Sequence, residues 1–194
     1  MLFLGSGQKA PLDTWVRRGF APTSELGPGV RDLLARYERV VATEPPGPPV
    51  GSGPHRRVAA AILAYDIFPP SVGRGVIARS PVEVGDTVGL RYRLAGGLEM
   101  FFASRVIDRF DEQRDAAWHT GFTYRTLAGH PELGEETFSV EKNLATGEVR
   151  VALRSWSRPG ILLSKLMASF ARRTQVRSSH AALVHLEKVA TAGS

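Results

Sequence analysis

The stretch GFTYRTLAGHPELGEETF, Gly121 to Phe138, decides the fold. Its first half alternates polar and apolar residues around Phe122 and Tyr124, and its second half resumes the alternation through Glu136 and Phe138. A period of two is that of a strand whose successive side chains point to opposite faces. Between the halves stands His130-Pro131, so the stretch predicts two strands joined by a turn. One imidazole and three carboxylates, those of His130, Glu132, Glu135 and Glu136, crowd that junction.

Outward from this pair, the same period runs from Val72 to Trp156 and predicts an antiparallel meander. Its strands fall near Val72 to Ser80, Asp86 to Leu94, Glu99 to Arg109, Ala116 to Arg125, Glu135 to Lys142 and Glu148 to Trp156. The turns Ala95-Gly96-Gly97, Asp111 to Asp115 and Ala145-Thr146-Gly147 supply the glycine and aspartate that hairpins take. Upstream, Tyr37 to Thr43 reads as a further strand, ended by Pro45-Pro46-Gly47-Pro48-Pro49 because proline cannot donate to a ladder. Ser52 is placed to cap a helix with Pro54 in its first turn. Val58, Ala61, Ile62 and Tyr65 share a face of that helix, and Pro69-Pro70 stops it. After Pro159 a helical stripe collects Leu162, Leu163, Leu166, Met167, Phe170, Ala181 and Val184. Residues 1–36, rich in Gly and Pro with one helical pattern from Val30 to Arg36, read as an N-terminal extension of a single domain over residues 37–192.

Strand, helix, six antiparallel strands and a long final helix form an α+β order, that of the helix-grip arrangement of START and Bet v 1 proteins. There a curved sheet wraps the last helix, and the space between them takes an apolar or amphipathic ligand; fold alone assigns no function. Turning the arginine-bearing faces outward leaves an inner set of Val88, Leu90, Tyr92 and Leu94, then Met100, Phe102, Ser104 and Val106, then Trp118, Thr120, Phe122 and Tyr124. Glu136, Phe138 and Val140, with Val149, Val151, Leu153 and Ser155, complete it. The candidate ligand-binding residues are Tyr92, Phe102, Ser104, Thr120, Phe122, Tyr124 and Glu136 of the sheet and Phe170 of the final helix.

Glu136 is the one ionisable member of the inner set, whereas Glu135 has the opposite parity and faces water. A carboxylate turned inward must be paired or hold its proton. Arg173 and Arg177, on the sheet-facing side of the final helix, could anchor it; otherwise it is a candidate catalytic acid. His130, at the rim, is either a general acid/base oriented by Glu132 or a turn residue bonded to local backbone. No metal site follows, since His130 with Glu132, Glu135 and Glu136 lacks the two-histidine spacing of a zinc or iron set. Gly5-Ser6-Gly7-Gln8-Lys9 and Gly51-Ser52-Gly53 fit neither phosphate-loop nor dinucleotide spacing, no nucleophile elbow is present, and no cofactor is signalled.

The segment around His130 resembles the signature of the family called domain of unknown function nineteen-ninety, a YGTLxGHPExGEExF-like run followed by a strand ending in Ser-Arg-Pro, here Ser157-Arg158-Pro159. The similarity runs from about Tyr37 to Gln175, and the resemblance implies no reaction. That pattern has glycine where Val41 and Arg125 stand, which bears on the tightness of turns there, and commonly tryptophan where Tyr65 stands, which bears on the end of the pocket.

The formal charge of +6 suits an acidic partner, but the arginines are scattered in pairs such as Arg17-Arg18, Arg56-Arg57 and Arg172-Arg173, so no nucleic-acid partner is expected. The absence of cysteine removes disulfides and thiolate chemistry, and no membrane span or signal segment is apparent; the cytoplasm is the expected compartment. Three functions follow from this reading. A binding protein for a small apolar or amphipathic molecule needs the fewest assumptions. A small-molecule enzyme, a cyclase, isomerase or hydrolase, would use His130 and Glu136. A protein-interaction module would use the basic final helix and the N-terminal extension. Oligomeric state is open.

Overall fold

A computed structural model describes residues 1–5, 8–21, 34–159 and 165–192, with the side chains of residues 34, 95, 157–159 and 165–175 outside the described set. The elements are β1 (Leu2–Leu4), α1 (Asp13–Val16), β2 (Leu34–Thr43), α2 (Pro54–Leu63), β3 (Gly73–Val76), β4 (Thr87–Arg93), β5 (Glu99–Arg114), β6 (Ala117–Thr126), β7 (Glu132–Asn143), β8 (Glu148–Pro159) and α3 (Lys165–Thr191). All strands join one antiparallel sheet in the order β2-β8-β7-β6-β5-β4-β3, and β1 pairs with β5 beyond the point where β6 ends. The sheet curls into a half-barrel with α2 and α3 against its inner face, which is the helix-grip fold. Among the described residues no helix is long and apolar enough to cross a membrane.

Strand parity places the inner core as the sequence predicts. Val88, Val106, Phe122, Tyr124, Phe138, Val140, Val149, Val151 and Leu153 pack with Val58 and Ile62 of α2 and with Ala182, Leu183 and Leu186 of α3. Register ties them into rows: Val106 faces Tyr124, Tyr124 faces Glu136, and Glu136 faces Ser155 across β5 to β8. A second, smaller core covers the sheet from outside, where Leu4, Leu12 and the fully buried Trp15 pack on Phe101, Ala103 and Leu127.

Several local expectations need correction. Leu34, Ala35 and Arg36 belong to β2, so the helical reading of Val30 to Arg36 fails at its end; residues 30–33 lie outside the described set. Neither Val41 nor Arg125 stands in a turn. Val41 occupies a bulge in β2 with its side chain buried, and Arg125 lies within β6 and donates to Glu135 at 2.7 Å. A second bulge, between Val106 and Asp108, shifts the parity of β5, which runs on to Arg114 instead of turning at Asp111. Arg109 and Asp111 therefore face Phe122 and Thr120 on the inner side, and only Asp115-Ala116 forms the turn. Along α3 the buried face is Ser179, Ala182, Leu183, Leu186 and Ala190 at helical spacing, and Val184 is exposed. Leu162 and Leu163 lie outside the described residues, as do the side chains of Leu166, Met167 and Phe170.

Candidate functional site

The inner face has three zones. At one end α2 begins without the Ser52 cap, and its N-cap is Gly53. The carboxylate of Glu44 takes over, accepting the His55 N–H at 2.7 Å and the Val50 N–H at 3.1 Å. A Cβ at position 53 would stand 2.6 Å from Glu44 Oε1, so a larger residue there must displace the capping carboxylate. Lys142, fully buried at the end of the Glu136-Phe138-Val140 row, reaches Glu44 at 2.8 Å and donates to the Pro48 carbonyl at 2.9 Å. Burial pulls the Glu44 carboxyl upward, but Lys142 and the two N–H groups together hold it below its ordinary range. Beside it Asp111 accepts from Trp118 Nε1 at 2.6 Å, Thr120 Oγ1 at 2.7 Å and Arg56 at 2.8 Å. At this end Glu44, Lys142 and Asp111 are each paired, while both ring nitrogens of the fully buried His55 have no hydrogen-bond partner among the described residues.

The middle is filled by rings. Tyr65 is not on α2 but two residues past it, at φ 55°, and its buried side chain stands edge-on to Phe122 at 6.0 Å and Phe138 at 6.3 Å. Phe68 covers Phe138 from the same loop. Phe122 and Phe138 have no exposed surface, so in this structure their neighbours are other side chains of the chain.

The other end holds the candidate site. Tyr124, Thr126, His130, Gly134, Glu136 and Ser155 line a pocket of about 20 Å³, room for roughly one water. Gly134 follows the parity of Glu136 but carries no side chain, and Ser155 is small. Tyr124 donates its hydroxyl to Glu136 Oε2 at 2.7 Å. Burial raises the Glu136 carboxyl to about 7, against that bond, with the charge of Glu132 adding to the rise. The Tyr124 phenol is raised by the same burial and then by the Glu136 charge. His130 is buried, edge-on to Phe102 at 4.6 Å, with Nδ1 3.0 Å from the Glu132 N–H and 2.8 Å from its carbonyl. Burial lowers its pKa to about 3, so the imidazole is neutral at neutral pH. Its Nε2 is buried without a hydrogen-bond partner among the described residues.

The sequence-predicted residues thus divide. Tyr124 and Glu136 meet at this pocket, with His130 on its wall and Phe102 behind His130. Ser104 faces Thr126 across the β5–β6 ladder, and Tyr92 reaches Ser178 of α3 at 3.4 Å. Thr120 belongs to the sealed end and Phe122 to the ring cluster. The side chains of Phe170 and Arg173 lie outside the described set; Arg177 is exposed, and among the described residues the side-chain partner of Glu136 is Tyr124. Glu135, on the outer face, holds Arg125 and accepts from Trp156 Nε1 at 3.2 Å. Sequence reasoning missed Glu44 and Lys142. The alternation through Phe138 and Val140 continues to Lys142 and carried that signal, whereas nothing before Pro45 marks Glu44 as a helix cap.

A curved sheet closed at one end of its inner face and carrying a small polar pocket at the other defines a helix-grip protein. The chain belongs to the family described as Domain of unknown function (DUF1990), which it matches over residues 29–184. A UPF0548 protein of Dictyostelium discoideum is 34% identical over 94 residues, 45% of this chain; the match spans 43% of that protein, under half its length. A hypothetical protein from Helicobacter pylori has a similar crystal structure, with a TM-score of 0.55 and 14% identity, covering 89% of this chain and 96% of that one. A START superfamily protein from Mycobacterium smegmatis aligns with a TM-score of 0.48 and 12% identity, over 80% of this chain and 98% of that one.

Proposed function

We propose that the protein binds a small apolar or amphipathic molecule between the sheet and α3, at the Glu136 end of the inner face. One observation carries this reading: the inward-facing rings, covered by Tyr65 in the middle, are left half-buried at Tyr92 and Phe102, and Phe102 stands against His130 of the polar pocket. Partly covered rings beside a few convergent polar groups are the composition of a small-molecule site. Nile red, a neutral dye that brightens in apolar surroundings, tests it. The expected result is saturable fluorescence, weakened about fivefold or more in affinity by Phe102→Ala and unchanged by Val84→Ala, a substitution at an exposed position. No saturable binding, or equal binding by both variants, would overturn it.

A second reading, acid–base catalysis on a small molecule, has one observation in its favour: a carboxyl raised to about 7 is poised to exchange a proton at neutral pH. His130, held neutral by burial and with Nδ1 engaged by backbone, would take part in that role only through Nε2. In a metabolite screen, turnover abolished by Glu136→Gln with melting temperature unchanged would select this reading over simple binding.

A further inference from the structure

His130, whose Nε2 has no hydrogen-bond partner among the described residues, and Glu136 both line this pocket, and their chemistry narrows what can occupy it. We infer that the pocket formed by Tyr124, Glu136, Ser155 and His130 Nε2 recognises a single hydroxyl group, the head of a neutral amphipathic alcohol whose apolar body lies along Phe102. This deepens the binding reading above and rests on it.

His130 is 6% exposed, and its Nε2 has lost water without gaining a partner among the described residues, an arrangement that costs about 1–3 kcal/mol if nothing fills it. Nδ1 sits at hydrogen-bond distance from both the N–H and the carbonyl of Glu132, so each tautomer has a backbone partner: with Nδ1 accepting, Nε2 donates; with Nδ1 donating, Nε2 accepts. Glu136 has the same two-sidedness. Tyr124 occupies Oε2, and among the described residues no side chain takes Oε1, which accepts when the group is ionised and can donate when it is protonated. Ser155 stands directly across the ladder from Glu136, and its hydroxyl also does both. A hydroxyl both donates and accepts, so it complements the pocket in every one of these states. An ammonium suits only the accepting states, and a carboxylate only the donating ones.

Charge and size agree. Among the described residues no lysine or arginine lines the pocket, while Glu136 does, so an anionic head has no side-chain cation there to pair with. A volume of about 20 Å³ is room for one oxygen-sized group. Phe102, edge-on to His130, is the apolar surface nearest the pocket for the carbon attached to that oxygen.

Four probes of one chain length test the assignment: decanol, decylamine, decanoate and decane, each titrated into the full chain with imidazole and tyrosine signals followed by NMR. The expected result is that decanol binds at least about fivefold more tightly than the other three and shifts the His130 Nε2 resonance, which decane leaves in place. Glu136→Leu should abolish the preference of decanol over decane while leaving decane affinity unchanged. If that variant fails to fold, Ser155→Ala, a smaller change, should reduce the same preference with the melting temperature preserved. Preference for decylamine or decanoate overturns the hydroxyl assignment, as does equal binding of decanol and decane with no shift at His130; in these cases binding on the inner face stands. Failure of all four probes to bind overturns the binding reading and this inference with it.

Discussion

Two inward-facing carboxylates, the buried Glu44 and the half-buried Glu136, stand at opposite ends of one inner face and are treated oppositely by the fold. Glu44 has a cation, two backbone donors and a helix N-terminus, and its pKa is held down. Glu136 has one phenol and a neighbouring glutamate, and its pKa is raised to about 7. Taking a carboxylate out of water costs several kcal/mol, which the first site offsets with partners and the second offsets by keeping the proton. At the closed end the carboxylate itself is supplied with partners by the chain. A carboxyl raised to about 7 and the half-buried ring of Phe102 mark the other end instead.

The largest effect should come from breaking the closed end. Lys142→Met leaves Glu44 buried without its cation and should cost about 3–5 kcal/mol in urea denaturation. A loss under about 1 kcal/mol would mean that Glu44 reaches water and that the two ends are alike. Phe122→Ala should cost a similar 3–5 kcal/mol, because the ring is wholly enclosed by Tyr65, Tyr124 and Phe138. Phe102→Ala, half-buried beside the pocket, should cost about 1–2 kcal/mol in the same measurement. Equal losses at the two phenylalanines would remove the distinction between filled middle and open end.

Glu136→Gln sharpens the comparison through pH. The folded chain holds the Glu136 proton to about pH 7, whereas the unfolded chain releases it near 4.5, so over that window the folded state binds more protons. The Glu136 contribution to stability therefore falls as pH rises from about 4.5 to 7. Glu44 acts in the other sense, contributing stability that is lost as pH falls through its lowered pKa. His130, neutral when folded and ionisable near 6.5 when unfolded, likewise loses stability as pH falls from about 6.5 to 3. Subtracting wild type from Glu136→Gln cancels the last two, and the difference should move in favour of the variant between pH 4.5 and 7. A flat difference would show that Glu136 titrates alike in both states. The smallest effect belongs to Glu135→Gln, which weakens a half-exposed pair with Arg125 and should shift stability by about 0–1 kcal/mol.

The sequence reading reached the sheet because one face is buried and a period of two must then show through, as it does in Phe122-Tyr124 and Phe138-Val140. It placed Glu136 inward and Glu135 outward for the same reason. It lost the β5 extension at a bulge, since one inserted residue inverts parity and brings Arg109 and Asp111 to the side where apolar residues were expected. It lost the closed end because the Glu44 cap acts across 11 residues on the backbone of His55, and a cap supplied from outside the helix leaves no local motif. Tyr65 looked helical by spacing, yet the chain has already turned at φ 55°, which carries the ring over Phe122 and Phe138 instead of along the helix. The role of His130 depended on burial, which a turn sequence does not encode.

The contrast between the two carboxylates is tested most directly by following all glutamate side-chain carboxyl carbons through a pH titration of the folded protein by NMR. Glu136 should titrate near 7 and Glu44 below the ordinary 4.5 in the same sample. A Glu136 midpoint at or below 4.5 would contradict the account, because it would mean that this carboxyl, like Glu44, is already supplied with the partners or water it needs.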